Sequence, residues 1–165
     1  MWRCGALLAA TATAAAMSGM APAHADVPVP QAGASCSAEL AGVMTRLPDV
    51  GDFLVCQASG SWAPVLEPFD PTPRWLSYGS GITLHGQGFR NPNLRSGQWT
   101  ATPLSPDAVC SADQVTVIGP GELAPVVHSQ GAAGRPLRLD VLPKLFTITM
   151  MGDCLWSEDQ PPVMG

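Results

Sequence analysis

The pattern of apolar and polar positions divides the chain into three unlike regions. From Cys4 to Met20 no charged residue occurs, and alanine and leucine dominate. From Ser37 to Thr45, Leu40, Val43 and Met44 recur at the three- and four-residue spacing that gathers apolar side chains on one side of a helix. Ser35 or Ser37 suits its N-cap, and Glu39 falls in the first turn, where the helix dipole favours a carboxylate. Pro48 ends the segment. The spacing therefore predicts one short N-terminal helix.

Beyond it the period changes to two. Leu137, Leu139 and Val141 alternate with Arg138 and Asp140, and Phe146, Ile148 and Met150 alternate with Thr147 and Thr149. Pro143-Lys144 sits between the two runs as a turn. Phe53–Cys56 and Ser61–Val65, separated by Gly60, read as a hairpin. Trp75–Tyr78, Ile82–His85, Gln98–Ala101, the β-branched Gln114–Ile118 and Cys154–Trp156 read as further strands, and residues 129–136 as a loop. Pro64, Pro68, Pro71 and Pro73 exclude a helix and predict an extended crossing segment. Short strands punctuated by glycine and proline define a mainly β chain. The expected architecture is a small disulfide-stabilised β-sandwich or flattened barrel with one short N-terminal helix.

The apolar first region has a different purpose. Arg3 precedes it and Ala23-His24-Ala25 follows it, the layout of a secretory signal peptide spanning 1–25 and cleaved after Ala25. The run is too short and too rich in alanine for a retained membrane anchor, so no transmembrane anchor is expected in the mature protein. Residues 26–35 (DVPVPQAGAS) read as a flexible lead-in. Residues 36–165 read as one mature β domain, with a helix-strand part at 36–66 and a strand-rich remainder at 75–157. The expected destination is secreted or associated with the cell envelope.

Export changes the meaning of the cysteines. Of five, Cys4 leaves with the signal, and Cys36, Cys56, Cys110 and Cys154 remain. An even set in an oxidising compartment reads as two disulfides, with three pairings open. The predicted helix and the strand after it are short enough for a Cys36–Cys56 bridge to staple one to the other. No C-x-x-C occurs, so the cysteines read as structural rather than redox-active. Composition narrows the partners. Thirteen acids against eight bases give a net charge of −5, without the basic face that nucleic acid requires. A hydrophobic content of 46% excludes disorder throughout.

Candidate chemistry is thin. Ser77-Tyr78-Gly79-Ser80-Gly81 suggests a nucleophile elbow, but Tyr78 stands where that motif needs glycine. Gly86-Gln87-Gly88 lacks the third glycine and the helix of a dinucleotide site. Outside the signal the histidines are His85 and His128, and neither spacing nor neighbours mark a metal site. Glu67, Asp70, Asp113 and Asp153 form no calcium-loop pattern. No cofactor, metal ligand or catalytic residue is assigned. The aromatic residues are more suggestive: Trp62, Trp75, Tyr78, Phe89 and Trp99 are interleaved with Arg74, Arg90, Asn91, Asn93 and Arg95. Flat rings beside amides and guanidinium groups can stack on and hydrogen-bond a sugar or an acidic ligand. Trp75, Tyr78, His85, Phe89 and Arg90 are the candidate binding residues, while Trp99 and Trp156, set in strands, read as core.

Three elements of the C-terminal part resemble a module of exported actinobacterial proteins. They are Ser96-Gly97-Gln98-Trp99-Thr100, Ala108-Val109-Cys110 and Gly152-Asp153-Cys154-Leu155-Trp156, together spanning residues 95–157. That resemblance implies a small β-sandwich in which Cys110 pairs with Cys154. Cys36–Pro48, Ile82–Asn91 and Leu142–Trp156 are similar to conserved secreted mycobacterial proteins of unknown function. This likeness implies location and fold and carries over no catalytic residue. Loops closed by Cys36–Cys56 and Cys110–Cys154 would stabilise by roughly 3 and 4 kcal/mol in the chain-entropy account. The functional expectation is an exported, non-catalytic protein that binds an extracellular or envelope ligand. The alternatives are a secreted hydrolase with a site near Ser80 and His85, or a glycan- or lipid-binding module that uses the loop aromatics.

Overall fold

A computed structural model describes residues 28–48 and 51–159, so the expected signal peptide and its cleavage site lie outside the described residues. The strands are β1 (Met44–Arg46), β2 (Phe53–Cys56), β3 (Trp62–Val65), β4 (Arg74–Ser77), β5 (Ile82–His85) and β6 (Gly97–Pro103). They continue with β7 (Ser111–Gly119), β8 (Glu122–Leu123), β9 (Val127–Gln130), β10 (Leu137–Val141), β11 (Leu145–Met151) and β12 (Cys154–Glu158). A larger sheet has the order β10-β6-β12-β4-β1-β2-β3, and a smaller one the order β5-β11-β7-β8. β9 lies on the same side of β7 as β8, pairing with its first half. The molecule is mainly β, in two sheets.

The expected helix does not form. Only Ala38–Leu40 makes a single 3-10 turn, and the chain re-enters a strand at Met44. Gly42 takes φ 77° and donates its N–H to the Cys56 carbonyl, turning the chain onto β2. Val43 and Met44 then point to opposite faces of the larger sheet, Met44 into the main core and Val43 into a second cluster. Their spacing mimics a helical stripe because two cores, one on each face, both ask for apolar side chains. Tertiary pairing overrides a weak local preference.

The flattened barrel also gives way: the two sheets do not close on each other. Apolar inner residues of both sheets meet in one core, with Trp75, Trp99 and Trp156 from β4, β6 and β12 facing Leu84, Ile148 and Met150 from β5 and β11. Cys110–Cys154 joins the entrance of β7 in one sheet to β12 in the other, at a Cα separation of 6.0 Å. Cys36–Cys56 ties the segment before β1 to the outer face of the larger sheet, also at 6.0 Å. There Val43, Leu54, Trp62 and Leu76 form the second cluster, with Leu40 and Leu155 packed against it. Residues 33–36, within the expected lead-in and its end, run antiparallel to β3: Gly33 N–H bonds the Trp62 carbonyl, and Trp62 N–H bonds the Ala34 carbonyl, each at 2.8 Å.

The sheets are joined at their corners by side chains rather than by continuous ladders. Buried Gln114 of β7 donates Nε2–H to the Asp140 carbonyl and accepts the Leu142 N–H, both at 3.0 Å, so its amide bonds the backbone of β10. At the opposite corner Arg46 donates to the Thr83 carbonyl at 2.6 Å. Asn93 exchanges 2.8 Å bonds with the His85 N–H and carbonyl. These bonds satisfy backbone groups that would otherwise face outward from β5 and β10.

Candidate functional site

The outer face of the smaller sheet carries the candidate site. Between Leu145 and Thr147 the register of β11 on β7 slips by one residue, which leaves Phe146 unpaired. A bulge of this kind re-aims one side chain while its neighbours keep their faces. Leu145 and Ile148 stay in the core, and Phe146 stands half-buried outside it.

The loop after β5 brings a second ring to the same place. Gly88 N–H bonds the Leu145 carbonyl at 2.7 Å, and Phe89 N–H bonds the Gly86 carbonyl at 3.0 Å, so the loop folds back over its own strand. A Cβ on Gly86 would sit 2.5 Å from Leu145 Cβ, and one on Gly88 would strike the Lys144 carbonyl. The Gly86-Gln87-Gly88 triplet is therefore a device for close packing against β11. The result is an aromatic stack. His85 and Phe89 lie face to face at 4.0 Å, and Phe89 meets Phe146 edge-on at 5.2 Å. Phe89 is 38% exposed.

Beside the stack lies a cleft of about 430 Å³, bordered by Gly88, Val117, Pro120, Glu122, Leu123 and Phe146. Its walls are apolar apart from the Glu122 carboxylate. Leu123 (47%) and neighbouring Ile118 (58%) extend the apolar surface beyond it. The Lys144 carbonyl accepts the N–H of Val117, one of the cleft walls, at 2.9 Å. Burial against these neighbours is the largest cause holding His85 below the usual histidine pKa; Arg46 acts in the same direction and Glu67 opposes it. These surroundings favour the neutral form of the His85 ring, which suits stacking.

The rest of the outer face is polar. Thr83, Thr149, Asp113 and His128 stand in one row across β5, β11, β7 and β9. The two threonine hydroxyls are 3.0 Å apart, and His128 Nδ1 meets Asp113 Oδ1 at 2.6 Å. That bond, first, and one with Gln130 raise the pKa of exposed His128.

The candidate residues separate cleanly. Phe89 and Arg90 share the exposed loop, and half-buried His85, at the end of β5, stacks on Phe89. Trp75 does not belong with them: it is 0% exposed and packs edge-on against Phe53 at 6.0 Å. Tyr78 is also core, with its hydroxyl donating to the Arg46 carbonyl. Both lie at inner positions, facing the opposite sheet rather than solvent. Ser80 lies in the turn before β5 and His85 ends the strand, so the two stand at its opposite ends, and Ser80 borders a separate polar cleft with Arg46 and Gly81. Among the described residues no group of three or more histidine, cysteine or acidic side chains converges as a metal site. None of their helices is long and apolar enough to cross a membrane.

Sequence reading missed Phe146 and Gln114. Phe146 sat inside an apparently perfect alternation, and only the one-residue slip turns it outward. Gln114 did leave a signal, as an amide in the inward register of β7 between Ala112 and Thr116.

Fold and site together define a two-sheet, disulfide-bridged β protein with an aromatic ledge and an apolar cleft on one outer face. Compared with family models, curated proteins and solved structures, the chain finds no match.

Proposed function

We propose that the protein is an exported, non-catalytic β-sandwich of the cell envelope or its surroundings, and that it binds an apolar ligand in the cleft beside Phe146. The observation that carries this reading is the His85–Phe89–Phe146 stack, with Phe89 exposed, at the edge of an apolar cleft. A cleft of this size accommodates an acyl chain or a fused ring system, and few polar groups interrupt its walls. The export leader read from residues 1–25 and the two disulfides support an oxidising destination. Arg90 and Asn91, on the same loop as Phe89, favour a second reading in which the stack receives a sugar ring.

Titration with a fluorescent sixteen-carbon fatty acid tests the first reading, and a glycan array the second. The expected result is saturable binding of the fatty acid that weakens at least tenfold in Phe146→Ser and in Leu123→Asp. Both variants should keep the far-ultraviolet circular dichroism of the parent. Binding unchanged in both variants sinks the cleft as the site. Turnover of ester, peptide or glycosidic substrates that disappears in His85→Ala would replace the binding reading with the hydrolase.

A further inference from the structure

We infer that the free edge of β9 is a self-association surface, on which a second copy of this chain pairs β9 to β9 in antiparallel fashion. The inference stands apart from the cleft and rests on how the sheet edges are finished. β3 is covered by residues 33–36, and Pro64 within it has no N–H to offer. β5 is closed by Arg46 and Asn93, and the C-terminal end of β10 is held by the Gln114 amide. β8, with two residues, is too short to template a partner. Among the described residues no covering segment or side-chain bond is found at the outward backbone groups of β9.

The direction of its backbone groups follows from the register. Gly131 N–H bonds the Cys110 carbonyl at 2.9 Å. Stepping by two along the antiparallel ladder makes Ser129 and Val127 the residues that bond β7, and turns the N–H and carbonyl of His128 and Gln130 away from it. The close approach of the His128 and Asp113 side chains is what a non-hydrogen-bonded pair produces. Among the described residues nothing accepts or donates to those four outward groups. The same edge carries two exposed apolar side chains, Val126 (59%) and Val127 (46%).

A second copy fits this edge by charge, by hydrogen bonding and by shape. Residues 124–131 (APVVHSQG) contain no Asp, Glu, Lys or Arg, so two such edges meet without like-charge repulsion although the chain carries −5 overall. A two-fold axis through Ser129 sets His128 opposite Gln130 of the second copy, and Gln130 opposite its His128. Every outward N–H then finds an outward carbonyl. The same register sets Val127 beside Gly131 and Val126 beside Ala132 of the second copy, a large side chain against a small one in each pair. Main-chain bonds supply affinity, and these pairs fix the register.

Sedimentation equilibrium of the oxidised protein from micromolar to millimolar concentration tests the inference. A reversible monomer–dimer equilibrium is expected. Gln130→Pro removes only an outward N–H and leaves the β7 ladder intact, so it should weaken the dimer at least tenfold. Gln130→Lys, which keeps the backbone and adds a charge to the edge, should do the same. Hydrogen exchange at the His128 and Gln130 amides should slow as concentration rises, while the Ser129 amide, already bonded to β7, should not change. A protein that stays monomeric to about 1 mM overturns the inference. So does a dimer that both variants leave intact, or one whose concentration-dependent protection falls elsewhere.

Discussion

Replacing Gln114 by methionine removes the amide that bonds β10 to the smaller sheet while keeping side-chain length and most of its volume. Two hydrogen bonds disappear, from Nε2 to the Asp140 carbonyl and from the Leu142 N–H to Oε1, each 3.0 Å in the parent. Each contributes about 1 kcal/mol net, and a backbone group left without a partner away from water costs about 1–3 kcal/mol. Leu142 is half-buried while Asp140 is exposed, so the N–H suffers more than the carbonyl. Burial of the thioether recovers part of the loss, which leaves an expected destabilisation of about 2–3 kcal/mol. Urea unfolding should show this as a lower midpoint at unchanged slope. The Leu142 amide should also exchange with solvent much faster.

A second substitution separates the hydrogen bonds from mere volume. Gln114→Glu keeps an acceptor for the Leu142 N–H but, when ionised, turns a negative oxygen toward the Asp140 carbonyl. Protonated, the same carboxyl can donate to that carbonyl. Its pKa in the folded state is therefore raised above the unfolded value of about 4.3. The deficit relative to the parent is full above the folded pKa and shrinks as pH falls through it. A loss below about 0.5 kcal/mol in Gln114→Met, with the Leu142 amide unaffected, would refute the bridging role.

Other expectations follow from single contacts. Gly88→Ala drives a methyl group into the Lys144 carbonyl; it should cost about 1–3 kcal/mol in thermal unfolding and shift the ring-current signature of Phe89 on His85. Trp156 donates its indole N–H to Ser77 Oγ at 2.8 Å, whereas the buried Trp75 N–H has no partner among the described residues. Trp156→Phe should therefore destabilise more than Trp75→Phe, by about 1–2 kcal/mol in urea midpoints; equal losses would contradict the pairing. Proton NMR titration should place the His128 midpoint above 6.5 and the His85 midpoint below it. His128 then contributes stability at acid pH that is lost as pH rises through its folded pKa, and Asp113→Asn should lower its midpoint. His85 works in reverse: the fold favours its neutral form, so stability falls as pH drops below about 6.5.

The strands were legible because their two periodic faces were clean. Ile82–His85 and Phe53–Cys56 needed no correction, and Leu137–Val141 alternates because one face meets the core and the other meets water. The helix at Ser37–Thr45 failed for a reason that a single-face template cannot detect. Val43 and Met44 are both buried, but on opposite sides of one strand, in different clusters. At the site, Phe89 and Tyr78 both stand next to glycines, yet Phe89 is exposed and Tyr78 is core, and Trp75 had no signal to distinguish a core ring from a binding ring. Phe146 was hidden by the bulge. A register slip depends on the partner strand, and β7 is remote in sequence.

The unequal treatment of the two outer faces explains why the site falls where it does. The larger sheet has its outer apolar residues covered by the segment around the Cys36–Cys56 bridge, so Leu54, Trp62 and Leu76 are core residues in all but position. No segment of the described chain covers the smaller sheet in the same way. There the polar row of Thr83, Thr149, Asp113 and His128 meets water at little cost, as an outer face should. The aromatic ledge breaks that rule. The chain has only four phenylalanines; Phe53 and Phe69 pack with Trp75 in the core, while Phe89 and Phe146 stand outside it. A small domain with so few large apolar residues gains more stability from a buried ring than from an exposed one. Placing half of its phenylalanines on an open face, and fixing one with a bulge and the other with two close-packed glycines, forgoes that stability. The apolar ligand proposed for the cleft, lying against those rings, would account for the arrangement.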